Sequence, residues 1–134
     1  MAGYSGKPLV QKIGVKPGHR LALAGEPPGF IKELHPLPDG VIVATGGRAK
    51  LDCVILFADE ARTLESRIAR WAARLTPAGI LWIAWPKKAA KIETDVTEML
   101  VRNTGLGAGL VDVKICAVND IWSGLKFVRR VKDR

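Results

Sequence analysis

Three short and nearly continuous apolar runs constrain the fold of this 134-residue chain more than any other feature. They cover residues 21–24, 51–57 and 80–85. A strand of a parallel sheet is buried on both faces and reads as a continuous apolar run, whereas a half-exposed strand alternates apolar and polar residues. The run at 51–57 therefore predicts a central strand, and the three runs together predict an α/β fold with a mostly parallel sheet.

Helical patterns lie before and between these runs. Across residues 59–75, apolar side chains recur at spacings of three and four, which predicts one amphipathic helix whose apolar stripe includes Trp71. A short helix is predicted from Ser5, as its N-cap, to Gly14, and about one helical turn is predicted at residues 30–34. The chain thus alternates strands with helices, as parallel sheets require.

The remaining sequence predicts one more helix and three more strands. Thr94 or Asp95 is expected to cap a helix that continues through Arg102 and is ended by the glycines of residues 105–109. The further strands are predicted at residues 41–44, 110–118 and 125–131, the last two as an antiparallel pair. These elements form one Rossmann-like, three-layer domain of about six strands over residues 1–134, with residues 1–18 as a helical lead-in.

The connection between the second and third strands is unusually short. Only residues 45–50 join them, whereas a parallel crossover normally takes a dozen or more residues. Six extended residues, at about 3.3 Å each, can just recross the sheet. Either a strand and its helix have been deleted here, or the second strand runs antiparallel, and the sequence leaves both interpretations open.

Composition limits the environment and the partners. The net charge of +8 favours anionic partners, although the basic residues are spread along the chain rather than gathered in a long block. Because the chain has neither a run of about 18 apolar residues nor a secretory signal, we expect a cytoplasmic protein with no membrane contact. Cys53 and Cys116 lie in apolar runs away from ligand-spaced His or Cys, which predicts reduced core cysteines and no metal site.

Ligands of α/β sheets bind outside the carboxyl ends of the parallel strands, so we place the candidate site there. The first strand is followed by Gly25-Glu26-Pro27-Pro28-Gly29 rather than by the phosphate-binding pattern G-x-G-x-x-G. The candidate ligand-binding residues are Gly25, Glu26, Gly29, Asp59, Trp85, Lys87 and Lys88. The glycines would admit a ligand close to the backbone, Glu26 would bind a ribose or an amine, and the lysines would hold an anionic group.

Each of these residues also has a purely structural interpretation. Residues 25–29 form a rigid turn in that interpretation, Asp59 and Glu60 begin a helix, and the two lysines are solvated. His19, His35 and Ser123 have no catalytic partner beside them in the sequence, and no catalytic residue is assigned.

The order of these elements, with the antiparallel pair at the end, resembles the class I methyltransferase version of the Rossmann fold over residues 20–131. That resemblance implies S-adenosylmethionine as a cofactor. Cofactor binding in that superfamily usually relies on an acid and several glycines after the first strand, and on an acid at the end of the second. Here Ala44-Thr45-Gly46-Gly47 ends the second strand, so the usual motif is absent.

Individual segments resemble a second family, a group of short bacterial, actinobacterial-type proteins classed as a domain of unknown function. The matching segments are MAGYSG at 1–6, WPKK at 85–88, GLVDVK at 109–114, CAV at 116–118 and WSGLKFV at 122–128. This resemblance implies a bacterial protein but assigns no activity to any residue.

Together these features predict a noncatalytic or degenerate Rossmann-like domain that binds a small anionic or nucleotide-like ligand or a protein partner. One alternative is an S-adenosylmethionine-dependent methyltransferase-like enzyme. A second alternative is nucleic-acid binding through the basic helix face formed by Arg67, Arg70 and Arg74. An edge strand of the terminal pair also leaves a homodimer open.

Overall fold

The computed structural model describes residues 7–134. The strands are β1 (Arg20–Ala24), β2 (Ile42–Ala44), β3 (Leu51–Phe57), β4 (Leu75–Pro86), β5 (Leu110–Ala117) and β6 (Trp122–Arg129). The helices are α1 (Leu9–Ile13), α2 (Phe30–Glu33), α3 (Ala61–Ala73) and α4 (Glu98–Gly107), with 3₁₀ turns at Lys88–Ala90 and Val131–Asp133. Ser5 and the segment 1–6 lie outside the described residues.

The six strands form one sheet in the order β2-β1-β3-β4-β6-β5. Strands β2, β1, β3 and β4 are parallel to one another, and β6 is antiparallel to both β4 and β5. The predicted α/β fold with a terminal antiparallel pair is therefore confirmed. The direction of β2, which the sequence leaves open, is parallel.

The centre of the sheet is buried on both faces, as the apolar runs predict. Every residue of β3 except Asp52 is buried, and Trp82 and Trp85 of β4 are buried on opposite faces. One face packs against α1 and α2. The other face packs against α3 and α4. Trp82 Nε1 donates a hydrogen bond of 2.8 Å to the Ile13 carbonyl, which ties α1 to the sheet.

The short crossover from β2 to β3 runs past the end of α3 without a helix of its own. Arg74 donates from Nε and Nη2 to the Ala49 carbonyl at 3.2 and 2.9 Å, and Lys50 Nζ donates to the Ala73 carbonyl at 2.9 Å. Since β2 and β3 flank β1 and all three are parallel, residues 45–50 recross the sheet on the side of α3. That side of β1 and β2 consequently lacks its own covering helix.

Strand β4 begins at Leu75, earlier than the apolar run at residues 80–85 predicts. Leu75 pairs with Leu51 and Ile80 pairs with Cys53, which leaves residues 76–79 as an irregularity within the strand. A Cβ at Gly79 would stand 3.0 Å from the Leu51 carbonyl oxygen, so the backbones approach too closely there for a larger side chain. The Pro and Gly of this segment mark a bulge rather than the end of a turn.

Helix α4 begins later and ends later than the sequence predicts. Thr97 is its N-cap, and its hydroxyl oxygen accepts from the Leu100 N–H at 3.1 Å. Thr94 and Asp95 are engaged elsewhere, so the prediction that either caps this helix is wrong. Gly105 lies inside the helix rather than at its end. A glycine is needed there because it faces the Phe127 ring, with which a Cβ would clash.

The last strand also begins earlier than predicted, at Trp122 rather than at residue 125. The side-chain oxygen of Asn119 accepts from the N–H groups of Ile121 and Trp122, both at 2.9 Å, and so forms a tight turn. Ser123 is therefore a strand residue opposite Trp85, not a turn residue.

Two smaller observations complete the fold. Cys53 is fully buried and unbonded, and burial raises the pKa of its thiol to about 12. Cys116 is free and only half-buried. Within residues 7–134, no helix has the length and apolar character needed to cross a membrane.

Candidate functional site

The carboxyl ends of the four parallel strands meet at one edge of the sheet, which we call the carboxyl edge. The chain leaves β1 at Gly25, β2 at Thr45, β3 at Ala58 and β4 at Lys87. Helix α2 follows β1 on one face, whereas α3 follows β3 on the other. The strand order therefore reverses between β1 and β3, which is where open α/β sheets bind ligands.

The loop after β1 is shaped by its own packing. Gly25 has a φ of +68°, and a Cβ there would stand 2.7 Å from the Phe57 carbonyl oxygen, so this glycine is required where β1 meets β3. Pro27 and Pro28 have no N–H to offer a ligand. Gly29 is different, because no atom lies within 4 Å of where its Cβ would be.

The loop after β2 presents an open backbone. Thr45, Gly46 and Gly47 are exposed, and no atom lies within 4 Å of the Cβ position of either glycine. Because β1 and β2 are paired, with Ala22 opposite Ala44, the loop that contains Gly29 and the loop that contains Gly46 and Gly47 leave from neighbouring strand ends. A ligand could approach these main-chain groups closely.

Acidic side chains surround the end of β3. A cavity of about 480 Å³ is lined by Asp59, Glu60, Glu93, Thr94 and Asp95. The Thr94 hydroxyl donates to the Asp59 carbonyl at 2.6 Å, and Asp95 Oδ1 accepts from the Ala61 N–H at 2.7 Å. Asp95 thus caps α3 from 34 residues further along the chain. In the described part of the chain, no group of His, Cys, Asp and Glu side chains could hold a metal ion.

Basic and aromatic side chains surround the end of β4. Trp85, Lys87, Lys88, Met99 and Ser123 are among the residues that line a cavity of about 620 Å³. Lys87 is half-buried, and its N–H donates to the Ile121 carbonyl at 2.8 Å, which fixes the backbone before the exposed Lys88. Thr94 lines both this cavity and the acidic one.

The structure thus divides the predicted ligand residues into two groups. Trp85, Lys87 and Lys88 line one cavity. Gly25, Glu26, Gly29 and Asp59 leave from the adjacent ends of β1 and β3, with Glu26 and Asp59 both exposed. Their role in ligand binding stays a prediction.

One arginine of the predicted basic face makes hydrogen bonds within the fold. Arg67 and Arg70 are exposed, but the Arg74 guanidinium is bonded to Ala49. Arg129 likewise donates to the carbonyls of Ala72 and Leu75 at 3.0 and 2.9 Å. The sequence does not reveal these bonds, because each joins residues at least 25 positions apart.

Trp71 is the residue whose surroundings the sequence predicts least well. The apolar stripe places it in the core, yet it is only half-buried and lines a groove beside β1 and β2. The guanidinium carbons of Arg70 and Arg74 lie 5.4 and 5.6 Å from its ring centroid. Its Nε1 is buried without a hydrogen-bond partner among the described residues.

Comparison with solved structures identifies the fold. A methyltransferase from Aquifex aeolicus described as SAM-dependent has 16% identity and a TM-score of 0.59, with 89% of this chain and 86% of that chain covered. Magnesium protoporphyrin IX methyltransferase from Synechocystis with bound SAH has 11% identity and a TM-score of 0.61, with 91% and 78% covered. The fold is that of the SAM-dependent methyltransferases.

A third similar structure is larger. An O-methyltransferase from neocarzinostatin biosynthesis, in complex with S-adenosylmethionine, has 13% identity and a TM-score of 0.63. The alignment covers 84% of this chain but only 49% of that enzyme. No protein-family model matches the chain, and no curated protein is similar to it in sequence. The resemblance to the bacterial domain of unknown function therefore stays a prediction.

Proposed function

We propose that this protein binds S-adenosylmethionine, or a closely related adenosine compound, at the carboxyl edge between β1, β2 and β3, as a methyltransferase-like protein. The strand order carries this proposal, since the same fold in the Aquifex, Synechocystis and neocarzinostatin proteins aligns with 84–91% of this chain. Two of those structures hold S-adenosylmethionine or SAH.

The described residues reproduce only part of the usual cofactor site. No carboxylate follows β2, and two prolines replace possible N–H donors in the loop after β1. What the edge does offer is open backbone at Gly29, Gly46 and Gly47, and exposed carboxylates at Glu26 and Asp59. Carboxylates accept hydrogen bonds from the amino group and ribose hydroxyls of such a ligand. When bound, S-adenosylmethionine supplies an activated methyl group, and we assign no residue here to its transfer.

Isothermal titration calorimetry with S-adenosylmethionine and S-adenosylhomocysteine tests the proposal. We expect saturable binding that falls by about tenfold in Glu26→Gln and in Asp59→Asn, because each loses a charged hydrogen bond of about 1.5–3 kcal/mol. Glu65→Gln, an exposed carboxylate on α3, is the matched control and should bind as the wild type does. Absence of binding at millimolar ligand, or equal binding by all variants, would refute the proposal.

A second candidate is noncatalytic binding of a small anion in the cavity at the end of β4. The observation that favours it is the placement of Lys87 and Lys88 beside Trp85 in one cavity. Titration with inorganic phosphate should then give binding that Lys87→Ala and Lys88→Ala weaken and that Glu26→Gln leaves unchanged. Because the two candidates depend on different residues, the same set of variants separates them.

A further inference from the structure

A groove of about 680 Å³ crosses β1 and β2 on the face that carries α3. We call it the margin groove. It is lined by Ala22, Leu23, Ala24, Ala44, Thr45, Gly46, Gly47, Arg48, Arg70, Trp71, Ala73 and Arg74. Gly46 and Gly47 belong both to this lining and to the candidate cofactor site at the carboxyl edge, whereas none of the lysines or carboxylates of the candidate sites lines the groove.

The topology explains why this groove is open. The crossover from β1 to β2 contains α2, and the crossover from β3 to β4 contains α3, so each packs a helix against the sheet. The crossover from β2 to β3 has only residues 45–50 and contains no helix. The margin groove is therefore the part of the sheet face that a crossover helix would otherwise cover.

The open apolar surface of the margin groove lies on β2. Ala22 and Ala24 line the groove but are already buried, with 2% and 8% of their surface exposed, whereas Ala44 is half-buried. Ile42 lies two residues before Ala44 in β2, on the same face, and is 51% exposed. An apolar stripe on an incoming helix could cover these residues.

The walls of the margin groove carry positive charge and one unused hydrogen-bond donor. Arg48 and Arg70 are exposed at the rim, and Arg74 adds a third guanidinium. Trp71 Nε1 is buried, lines the same groove through its ring, and has no acceptor among the described residues. A buried donor without an acceptor is unfavourable, and because this nitrogen is shielded from solvent, an acceptor reaches it only if the side chains around it shift.

We propose that the margin groove docks an acidic amphipathic helix of a partner protein. Ile42 and Ala44 take the apolar stripe of that helix, and its carboxylates pair with Arg48 and Arg70. Single-stranded nucleic acid fits less well, because Trp71 is the one aromatic among the described residues of the lining and the guanidiniums of Arg70 and Arg74 already lie over its ring. This proposal does not require ligand binding at the carboxyl edge, although the two sites share Gly46 and Gly47.

The tryptophan indole N–H signals of ¹⁵N-labelled protein provide the test. The chain has four tryptophans, and Trp71→Phe assigns the Trp71 signal by its loss. The probe is a synthetic helical peptide of about 15 residues with a Leu and Ala stripe on one face and Glu on the other. Its controls are a scrambled peptide of the same composition and a peptide with Lys in place of Glu.

We expect the acidic peptide alone to move the Trp71 indole signal saturably, because a helix in the groove changes the surroundings of the Trp71 side chain. The double variant Arg48→Ser with Arg70→Ser should weaken that binding about tenfold, as expected for the loss of two exposed ion pairs. Arg67→Ser should not, because Arg67 lies on the same helix outside the groove.

Three results would overturn the proposal. The first is no movement of the Trp71 signal at millimolar acidic peptide. The second is equal movement with the scrambled peptide, which would show that charge alone acts. The third is movement with a short single-stranded oligonucleotide or with S-adenosylmethionine but not with the peptide, which would show that the groove binds a different ligand.

Discussion

The centre and the margin of this sheet differ in what covers them. Strands β3 and β4 are packed on both faces, and the apolar residues of β3 and residues 80–85 of β4 are buried. In strand β2 at the margin, Ile42 faces the α3 side and is 51% exposed, and no helix covers β2 on that side. The two regions share one sheet, so crossover length, not strand composition alone, decides how much of a strand is buried.

The tryptophans show the same contrast. Trp82 at the centre is fully buried, and its N–H is bonded to the Ile13 carbonyl. Trp71 beside the margin is half-exposed, and its N–H has no partner among the described residues. At the centre, the tryptophan N–H is buried and hydrogen-bonded. At the margin, apolar side chains are exposed and the Trp71 N–H has no hydrogen-bond partner among the described residues.

The largest effect is expected where a helix covers the sheet, at Gly105 of α4. A Cβ there would overlap the buried Phe127 ring, so Gly105→Ala should destabilise the protein by about 3 kcal/mol, the cost of overpacking. Gly107→Ala is the matched control in the same helix, since its Cβ would meet no atom within 4 Å. It should change stability by no more than about 0.5 kcal/mol, in the stabilising direction. Urea unfolding measures both, and equal effects would mean that α4 does not pack tightly on β6.

A paired tryptophan substitution compares centre with margin directly. Trp82→Phe should cost about 2–3 kcal/mol, because it leaves a cavity and an unbonded Ile13 carbonyl. Trp71→Phe should cost less than about 1 kcal/mol, because it removes an unpaired donor from a half-exposed position. Thermal and urea unfolding give both values. A Trp71 variant as damaged as the Trp82 variant would show that the margin is as tightly packed as the centre.

The two cysteines give a smaller and purely kinetic contrast. Cys53 lies in β3 with a pKa raised to about 12 by burial, so its reactive thiolate is scarce and shielded. Cys116 lies in the edge strand β5 and is half-buried, which also raises its pKa. Mass spectrometry after treatment with a thiol reagent should find Cys116 modified in the folded protein and Cys53 modified only after unfolding. Equal rates of modification would contradict the burial of β3.

The smallest effect concerns an exposed ion pair between α4 and β5. Arg102 Nε donates to Asp112 at 3.1 Å and lowers the pKa of that carboxyl. A lowered folded-state pKa adds stability above the unfolded pKa, and that stability is lost as pH falls through the folded value. Asp112→Asn should therefore flatten the decline of Tm below about pH 4. Asp39→Asn, at an exposed turn, serves as control, and an unchanged decline in the Asp112 variant would refute the coupling.

Much of the sheet could be predicted from local patterns. The apolar runs located β3 to the residue and β1 to within one residue, because a strand buried on both faces has few polar positions. The spacing across residues 59–75 located α3, which ends two residues short at either side. The ligand residues at the carboxyl edge followed from the strand order alone, and their binding role is still a prediction.

The parts that could not be predicted depend on contacts between distant residues. The direction of β2 is decided by its pairing with β1, which six linking residues do not encode. Asp95 looked like a local cap but bonds to Ala61, 34 residues away. Trp71 fits the apolar stripe of α3, and only the absence of a helix over β1 and β2 leaves it in a groove.

The most direct test of the account is an amide map of the carboxyl edge. The ¹⁵N spectrum of the protein would be recorded with and without S-adenosylhomocysteine. Our account predicts shifts that cluster at Gly29, Gly46, Gly47 and Asp59, with Lys87 and Lys88 little changed. Shifts confined to Lys87 and Lys88, or no shifts at millimolar ligand, would contradict it.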